Sequence, residues 1–177
     1  GDWSSDVCSS DLPGPGEVLV KTLACGICGS DLHALKHAHD FSDAAREAGS
    51  SMAMDVSRDV VMGHEFCAEI LDFGPETAGN LRAGDRVCSM PVLLRPGNPQ
   101  SVGYSNNVPG GYGEYMVLSE ALLLPVPNGL PTDFATLTEP MAVGFHAVQM
   151  AHIQKDEVAL VIGCGPVGLA VIQSLKL

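Results

Sequence analysis

The chain has 177 residues, a formal net charge of −12, 17% charged residues and 46% hydrophobic ones. That length holds one domain, or one domain with part of another, and the apolar share suffices for a buried core. The acidic balance argues against a nucleic-acid partner, which requires a basic face, and against an electrostatic hold on an anionic membrane surface.

In chain order, Gly1 to Leu12 (GDWSSDVCSSDL) carries no apolar period of two or of 3.6. Asp2 through Leu12 is what a sequencing-library adapter encodes when read in one frame, so residues 1–12 are expected to be foreign to the fold. From Pro13 to Pro127 the text turns strand-like: Glu17 to Ala24, Val60 to Val61, Glu65 to Phe73, Arg86 to Met90 and Gly113 to Val117 are short strand candidates. Turns rich in glycine and proline separate them, the pattern of a barrel or sandwich. One helix is predicted inside this region, over SDAAREAG, with Ser42 or Asp43 as its N-cap. From Pro131 to Ile153 the pattern is helical. Glu157 to Ile162 then reads as an apolar strand, GCGPVG as a Gly-rich turn, and Leu169 to Leu177 as a helix. No second parallel strand follows, so the βαβ unit is expected to be cut short.

No apolar run is long enough for a membrane span, and the polar, acidic first residues do not read as a secretory leader. Six irregularly spaced cysteines do not make a disulfide framework; a reduced, cytoplasmic setting is expected. Two motifs carry chemistry. CGICGSDLH (Cys25 to His33) and GHE (Gly63 to Glu65) supply a thiol, an imidazole and a carboxylate from separated segments, the donor set of a catalytic zinc that keeps one position open. Gly163, Gly165 and Gly168 have GxGxxG spacing after an apolar strand and before a helix, the context in which a backbone turn and a helix N-terminus receive a pyrophosphate.

CGICGSDLH, GHE, TEPMAVG and GCGPVG, taken in that order, resemble the zinc-dependent medium-chain alcohol dehydrogenases, especially the polyol and threonine dehydrogenase branch. The resemblance spans Pro13 to Leu177 and implies a fold that is mainly β and then α/β. A GroES-like β-barrel catalytic domain would occupy 13–130 and a connecting helix 131–155. Residues 156–177 would be the first strand and helix of a truncated NAD(P)-binding Rossmann domain. It also implies Cys28 and His64 as zinc ligands, with Glu139 preferred as the third and Glu65 in reserve. Asp31 would orient the ligand histidine, and Ser30 and His33 would relay the proton. Gly163, Gly165, Pro166, Val167 and Gly168 would hold NAD or NADP. The implied reaction oxidises a small alcohol or polyol by hydride transfer to NAD(P), in a parent protein that is a homo-oligomer. The chain carries the metal site and only the threshold of the cofactor site, so it is not expected to turn over alone.

Two features depart from the family pattern. After GDRV only Cys88 offers a thiolate, so one catalytic zinc and no structural zinc are expected. The stretch between Cys28 and His64 is long and carries His33, His37 and His39. It is expected to reshape the substrate mouth or a subunit contact, with His37 and His39 as exposed loop residues. Cys25 is read as a packed bystander rather than half of a redox or zinc-knuckle CxxC pair, and Cys67 and Cys164 as core residues. The competing functions are a zinc-free quinone reductase of the same superfamily and a non-catalytic fragment.

Overall fold

A computed structural model describes residues 12–50, 52–154 and 156–177. Nearly all of the segment read as foreign lies outside the described residues. The body is a five-stranded antiparallel sheet made of β1 (Glu17–Cys25), β2 (Phe66–Phe73), β3 (Arg86–Ser89), β6 (Tyr115–Ser119) and β7 (Leu123–Pro125), in the order β6-β1-β2-β3-β7. A two-stranded lobe, β4 (Val92–Leu93) with β5 (Gln100–Ser101), lies between β3 and β6 in sequence. Alternation drives the packing: Val18 and Val20 of β1, Ala68 and Ile70 of β2, and Met116 and Leu118 of β6 turn to one side and are buried. Leu93, Val102 and Val108 from the lobe close over the same core.

Antiparallel pairing of β1 with β2 sets Cys25 opposite Phe66. The chain leaving β1 and the chain entering β2 therefore meet at one end of the sheet, and both zinc-type motifs lie in those two connections. The register shifts between Leu19 and Val20 and between Thr22 and Ala24, bulges that bend β1 as it approaches that end.

Five α-helices and a short 3-10 helix (Glu120–Leu122) complete the described chain: α1 (Gly29–Lys36), α2 (Ala38–Glu47), α3 (Thr132–Ala135), α4 (Thr138–Ala151) and α5 (Pro166–Ser174). Several expectations are corrected. The predicted helix over Ser42 to Gly49 begins earlier, at Ala38, and a separate helix precedes it. Ser42 caps nothing: it is buried inside α2 and donates its hydroxyl to the Met54 carbonyl. The sequence signal for α1 is the Asp31 carboxylate, which accepts the Cys28 N–H at the helix start.

Val60 and Val61 form no strand. Instead, residues 61–63 accept backbone hydrogen bonds from 110–112 in an irregular ladder. β6 lies two residues beyond its predicted span. The helical stretch from Pro131 is split at Thr136 and Leu137, and α5 begins at Pro166 rather than Leu169. Glu157 to Ile162 is irregular, with Val158 97% and Ile162 90% exposed, because no strand lies alongside it among the described residues to complete its hydrogen bonds. Gly144 of α4 lets α5 approach closely; a Cβ there would lie 2.6 Å from Ala170. Among the described residues no helix is long and apolar enough to cross a membrane.

Candidate metal centre

At the shared end of β1 and β2, the Gly26 N–H donates to the Glu65 carbonyl at 2.7 Å. A Cβ on Gly26 would stand 2.6 Å from Glu65 Oε2, so a larger residue there would displace that carboxylate from its present position. Gly63 has φ of +100°, which favours glycine immediately before His64. Cys28 sits at the N-cap of α1. The outcome is a trio: Cys28, His64 and Glu65 each offer a ligand atom, all within 4.8 Å of one another. His64 and Glu65 are buried and Cys28 partly so.

Thiolate, imidazole and carboxylate are the zinc donors, bound at about 2.0–2.3 Å, and three protein ligands leave a fourth position open. The trio fits that need after a small closing movement. His64 Nδ1 supplies a second test of fit. It lies 3.3 Å from Asp31 Oδ1 yet off the line a hydrogen bond needs, and it is buried without a hydrogen-bond partner. A metal ion on the other ring nitrogen leaves the proton on Nδ1, facing Asp31, the usual arrangement behind a ligand histidine.

Asp31 is 2% exposed, and its carboxylate is the hub behind the trio. Oδ2 accepts from the Cys28 N–H at 3.1 Å and from the Tyr112 hydroxyl at 2.8 Å. Oδ1 faces His64 and lies 2.9 Å from the Tyr104 hydroxyl, which is also 2.9 Å from Ser30 Oγ. With one proton to give, Tyr104 donates to the carboxylate and Ser30 donates to Tyr104. Burial, ahead of the Asp31 charge, holds both phenols well above their ordinary range, so they remain hydroxyl donors.

The other predicted site residues fall as follows. Glu139 lies in the first turn of α4, partly buried, and stands outside the 4.8 Å trio. Burial raises its carboxyl above the ordinary value; His64 opposes that shift, and the charges of Glu65 and Asp31 add to it. The geometry therefore brings Glu65, the reserve ligand, among the donors ahead of Glu139. Ser30 is on the first turn of α1, and His33 is exposed on the same helix, its ring 4.9 Å from that of His37. His37 and His39 are exposed, though on and beside helix rather than in a loop. At the C-terminal turn, Gly163 has φ of +100°, and a Cβ on Gly168 would lie 2.1 Å from the Gly163 carbonyl oxygen. Gly165 caps α5, with Pro166 and Val167 opening it. These are the backbone requirements of the phosphate-binding turn.

Cys67 is buried as expected and meets Cys88 and Ala135 in a small cluster. Cys164, expected in the core, is exposed on the glycine turn, because the segment before it is unpacked. Cys25 is partly buried against the main core. Burial and then the Asp31 charge push its thiol up to about 11, so it stays protonated where a thiolate ligand must ionise. Iodoacetamide is accordingly expected to label Cys164 promptly at pH 8 and Cys25 only as the pH nears 11. Peptide mapping by mass spectrometry over time checks this; equal rates at pH 8 would contradict it. The sign for stability follows: an unfolded thiol ionises near 9.0, so between 9.0 and about 11 the folded chain retains a proton the unfolded chain releases, and stability falls with rising pH.

Sequence reasoning missed Tyr104, Tyr112 and Phe41. Phe41 of α2 stacks on Tyr104 at 5.4 Å between ring centroids, and Tyr104 packs on His64 at the same spacing. The unusually long stretch between Cys28 and His64 thus braces the centre from behind. The available signal was the pair of tyrosines in the glycine-rich run SVGYSNNVPGGYG.

The comparisons agree with this architecture. Residues 14–128 match the alcohol dehydrogenase GroES-like domain, and the chain belongs to that family. It is 34% identical over 170 residues to the (R,R)-butanediol dehydrogenase of Bacillus subtilis, a match covering 92% of the chain and 48% of that enzyme. A crystal structure of 2R,3R-butanediol dehydrogenase from Bacillus subtilis superposes with a TM-score of 0.75 at 33% identity, covering 93% of this chain and 49% of that one. Acetophenone reductase from Geotrichum candidum, solved in complex with NAD, gives a TM-score of 0.75 at 27% identity, with 93% and 48% covered. The chain spans about half the length of these relatives.

Proposed function

We propose that the chain is the metal-bearing part of a zinc-dependent dehydrogenase that oxidises a small alcohol or polyol to a carbonyl with hydride transfer to NAD or NADP. The observation carrying this reading is the Cys28, His64 and Glu65 trio backed by Asp31. Bound there, zinc supplies Lewis-acid polarisation of the alcohol oxygen. The chain's own residues do the rest. Asp31 holds the Cys28 backbone and faces His64 Nδ1. Ser30 Oγ would accept the substrate's proton while its own hydroxyl proton turns from Tyr104 and passes to His33, which would release a proton to solvent at the exposed surface. The 163–168 turn would hold the cofactor pyrophosphate at the N-terminus of α5. The organisation that goes with it is a GroES-like domain over 13–130, a connecting helical segment over 131–155 and the opening of a Rossmann domain from 156. Free Cys25, Cys28, Cys67, Cys88 and Cys164 support a reduced, cytoplasmic setting. A homo-oligomeric parent remains part of the proposal.

The test is zinc binding measured against a competing chelator. The metal-free chain is expected to take up one zinc, and Glu65→Gln to weaken it more than Glu139→Gln. The reverse order would make Glu139 the third ligand. A chain that retains no zinc would sink this reading in favour of the zinc-free quinone reductase alternative.

A further inference from the structure

We propose that Tyr104 and Tyr112 are positioning residues of the metal centre, delivered by one loop and acting through Asp31 on both Cys28 and His64; this rests on the zinc reading above. Buried carboxylates require donors for each oxygen. Oδ1 of Asp31 serves Tyr104 at 2.9 Å and faces His64, and Oδ2 serves Tyr112 at 2.8 Å and the Cys28 N–H at 3.1 Å. Each oxygen thus pairs one tyrosine with one ligand residue. Removing a hydroxyl frees one side of the carboxylate to turn, and the ligand on that side loses its reference.

Both hydroxyls come from the run between β5 and β6, 73 and 81 residues beyond Asp31. That run is fastened to the backbone just before His64. Gly110 N–H donates to Val61 at 2.7 Å, Gly111 N–H to Gly63 at 2.7 Å and Tyr112 N–H to Met62 at 3.0 Å. The Tyr104 ring is held between Phe41 and His64. Filling space would need only the rings, and phenylalanine would serve. Two hydroxyls from one loop converging on opposite oxygens of one carboxylate require a polar task. In this chain the segment between β3 and β6, which offers no set of thiolates, contributes tyrosines to the centre instead.

The experiment is the rate of zinc release from the loaded full chain to excess colorimetric chelator, for the unmutated chain, Tyr104→Phe, Tyr112→Phe, their double variant, and each in an Asp31→Asn background. Loss of a partner behind a metal ligand typically costs about 10–100-fold in affinity, so single variants are expected to release zinc about 3–10-fold faster and the double about 10–100-fold faster. In the Asp31→Asn background the tyrosine changes are expected to add less than about twofold, a non-additivity that a merely structural role would not produce. Tyr112 is 43% exposed, so its phenylalanine variant tests the idea without threatening the fold. Release rates within twofold of the unmutated chain overturn the inference alone, as do increments that persist undiminished without the Asp31 carboxylate. An unmutated chain that holds no zinc overturns both this inference and the reading beneath it.

Discussion

His64→Ala and Cys28→Ser are each expected to lower zinc affinity by about 100- to 1,000-fold. Four ligands together supply about 10–16 kcal/mol in structural zinc sites, so each carries about 2.5–4 kcal/mol. Isothermal titration of zinc into the metal-free chain, with chelator competition for the tightest variants, reads the change directly. The two variants differ in what else they do. Cys28 is only partly buried at the N-cap of α1, and Cys28→Ser keeps both the backbone N–H that Asp31 accepts and a capping hydroxyl. Its metal-free melting temperature should barely move. His64 is 9% exposed and packs on Tyr104, so His64→Ala also opens a cavity and removes the group facing Asp31 Oδ1. It should lower the metal-free melting temperature as well. Zinc stabilises the folded chain in proportion to the logarithm of its concentration over its dissociation constant. Added zinc should therefore raise the melting temperature of the unmutated chain, and either variant should need about 100- to 1,000-fold more zinc for the same rise. Unchanged zinc affinity in either would remove that residue from the ligand set.

The parts of the centre that could be read in the sequence are those whose chemistry is local. Cys28, Asp31 and Ser30 lie in one motif, and His64 and Glu65 in another. Their convergence follows once β1 and β2 are antiparallel neighbours, because one motif leaves the sheet where the other enters it. The ranking of Glu139 over Glu65 could not be settled from motifs. It depends on where the first turn of α4 stands relative to the end of β2, a tertiary matter. Tyr104 and Tyr112 were invisible for the same reason: their hydroxyls meet Asp31 only after the chain has run through β2, β3 and the β4–β5 lobe. The helix errors have a different origin. α1 and α2 are separated at His37, whose φ of −129° and ψ of 43° break the helix without proline or glycine. Ser42 looks like a cap in sequence but spends its hydroxyl on Met54. The Glu157 to Ile162 strand was read from its apolar run, yet a strand is defined by its partners, and an apolar run alone does not supply them.

Gly110→Ala is expected to destabilise the fold by about 3 kcal/mol or more and to loosen the metal centre with it, although Gly110 touches no predicted ligand side chain. A Cβ at this position would lie 2.3 Å from the Gly63 carbonyl oxygen, 2.6 Å from the Met62 carbonyl oxygen and 2.6 Å from Gly103 Cα. All three are backbone atoms, so no side chain can rotate aside. The loop must lift instead, and that breaks the hydrogen bonds from 110–112 to 61–63. Those bonds fix the approach to His64 on one side and carry Tyr112 toward Asp31 on the other. The melting temperature and the zinc dissociation constant should therefore worsen together. Gly29→Ala makes the contrasting control. Gly29 directly follows Cys28 and opens α1, nothing lies within 4 Å of a Cβ built there, and its φ is not positive. Alanine there should be neutral or stabilise by up to about 1 kcal/mol, with zinc binding unchanged. If Gly110→Ala melts with the unmutated chain while Gly29→Ala does not, the loop is not packed on the GHE backbone as described. If both leave zinc affinity alone, proximity in sequence and backbone contact alike are poor guides to what holds the site, and the hydroxyls of Tyr104 and Tyr112 must find Asp31 without the loop's anchorage.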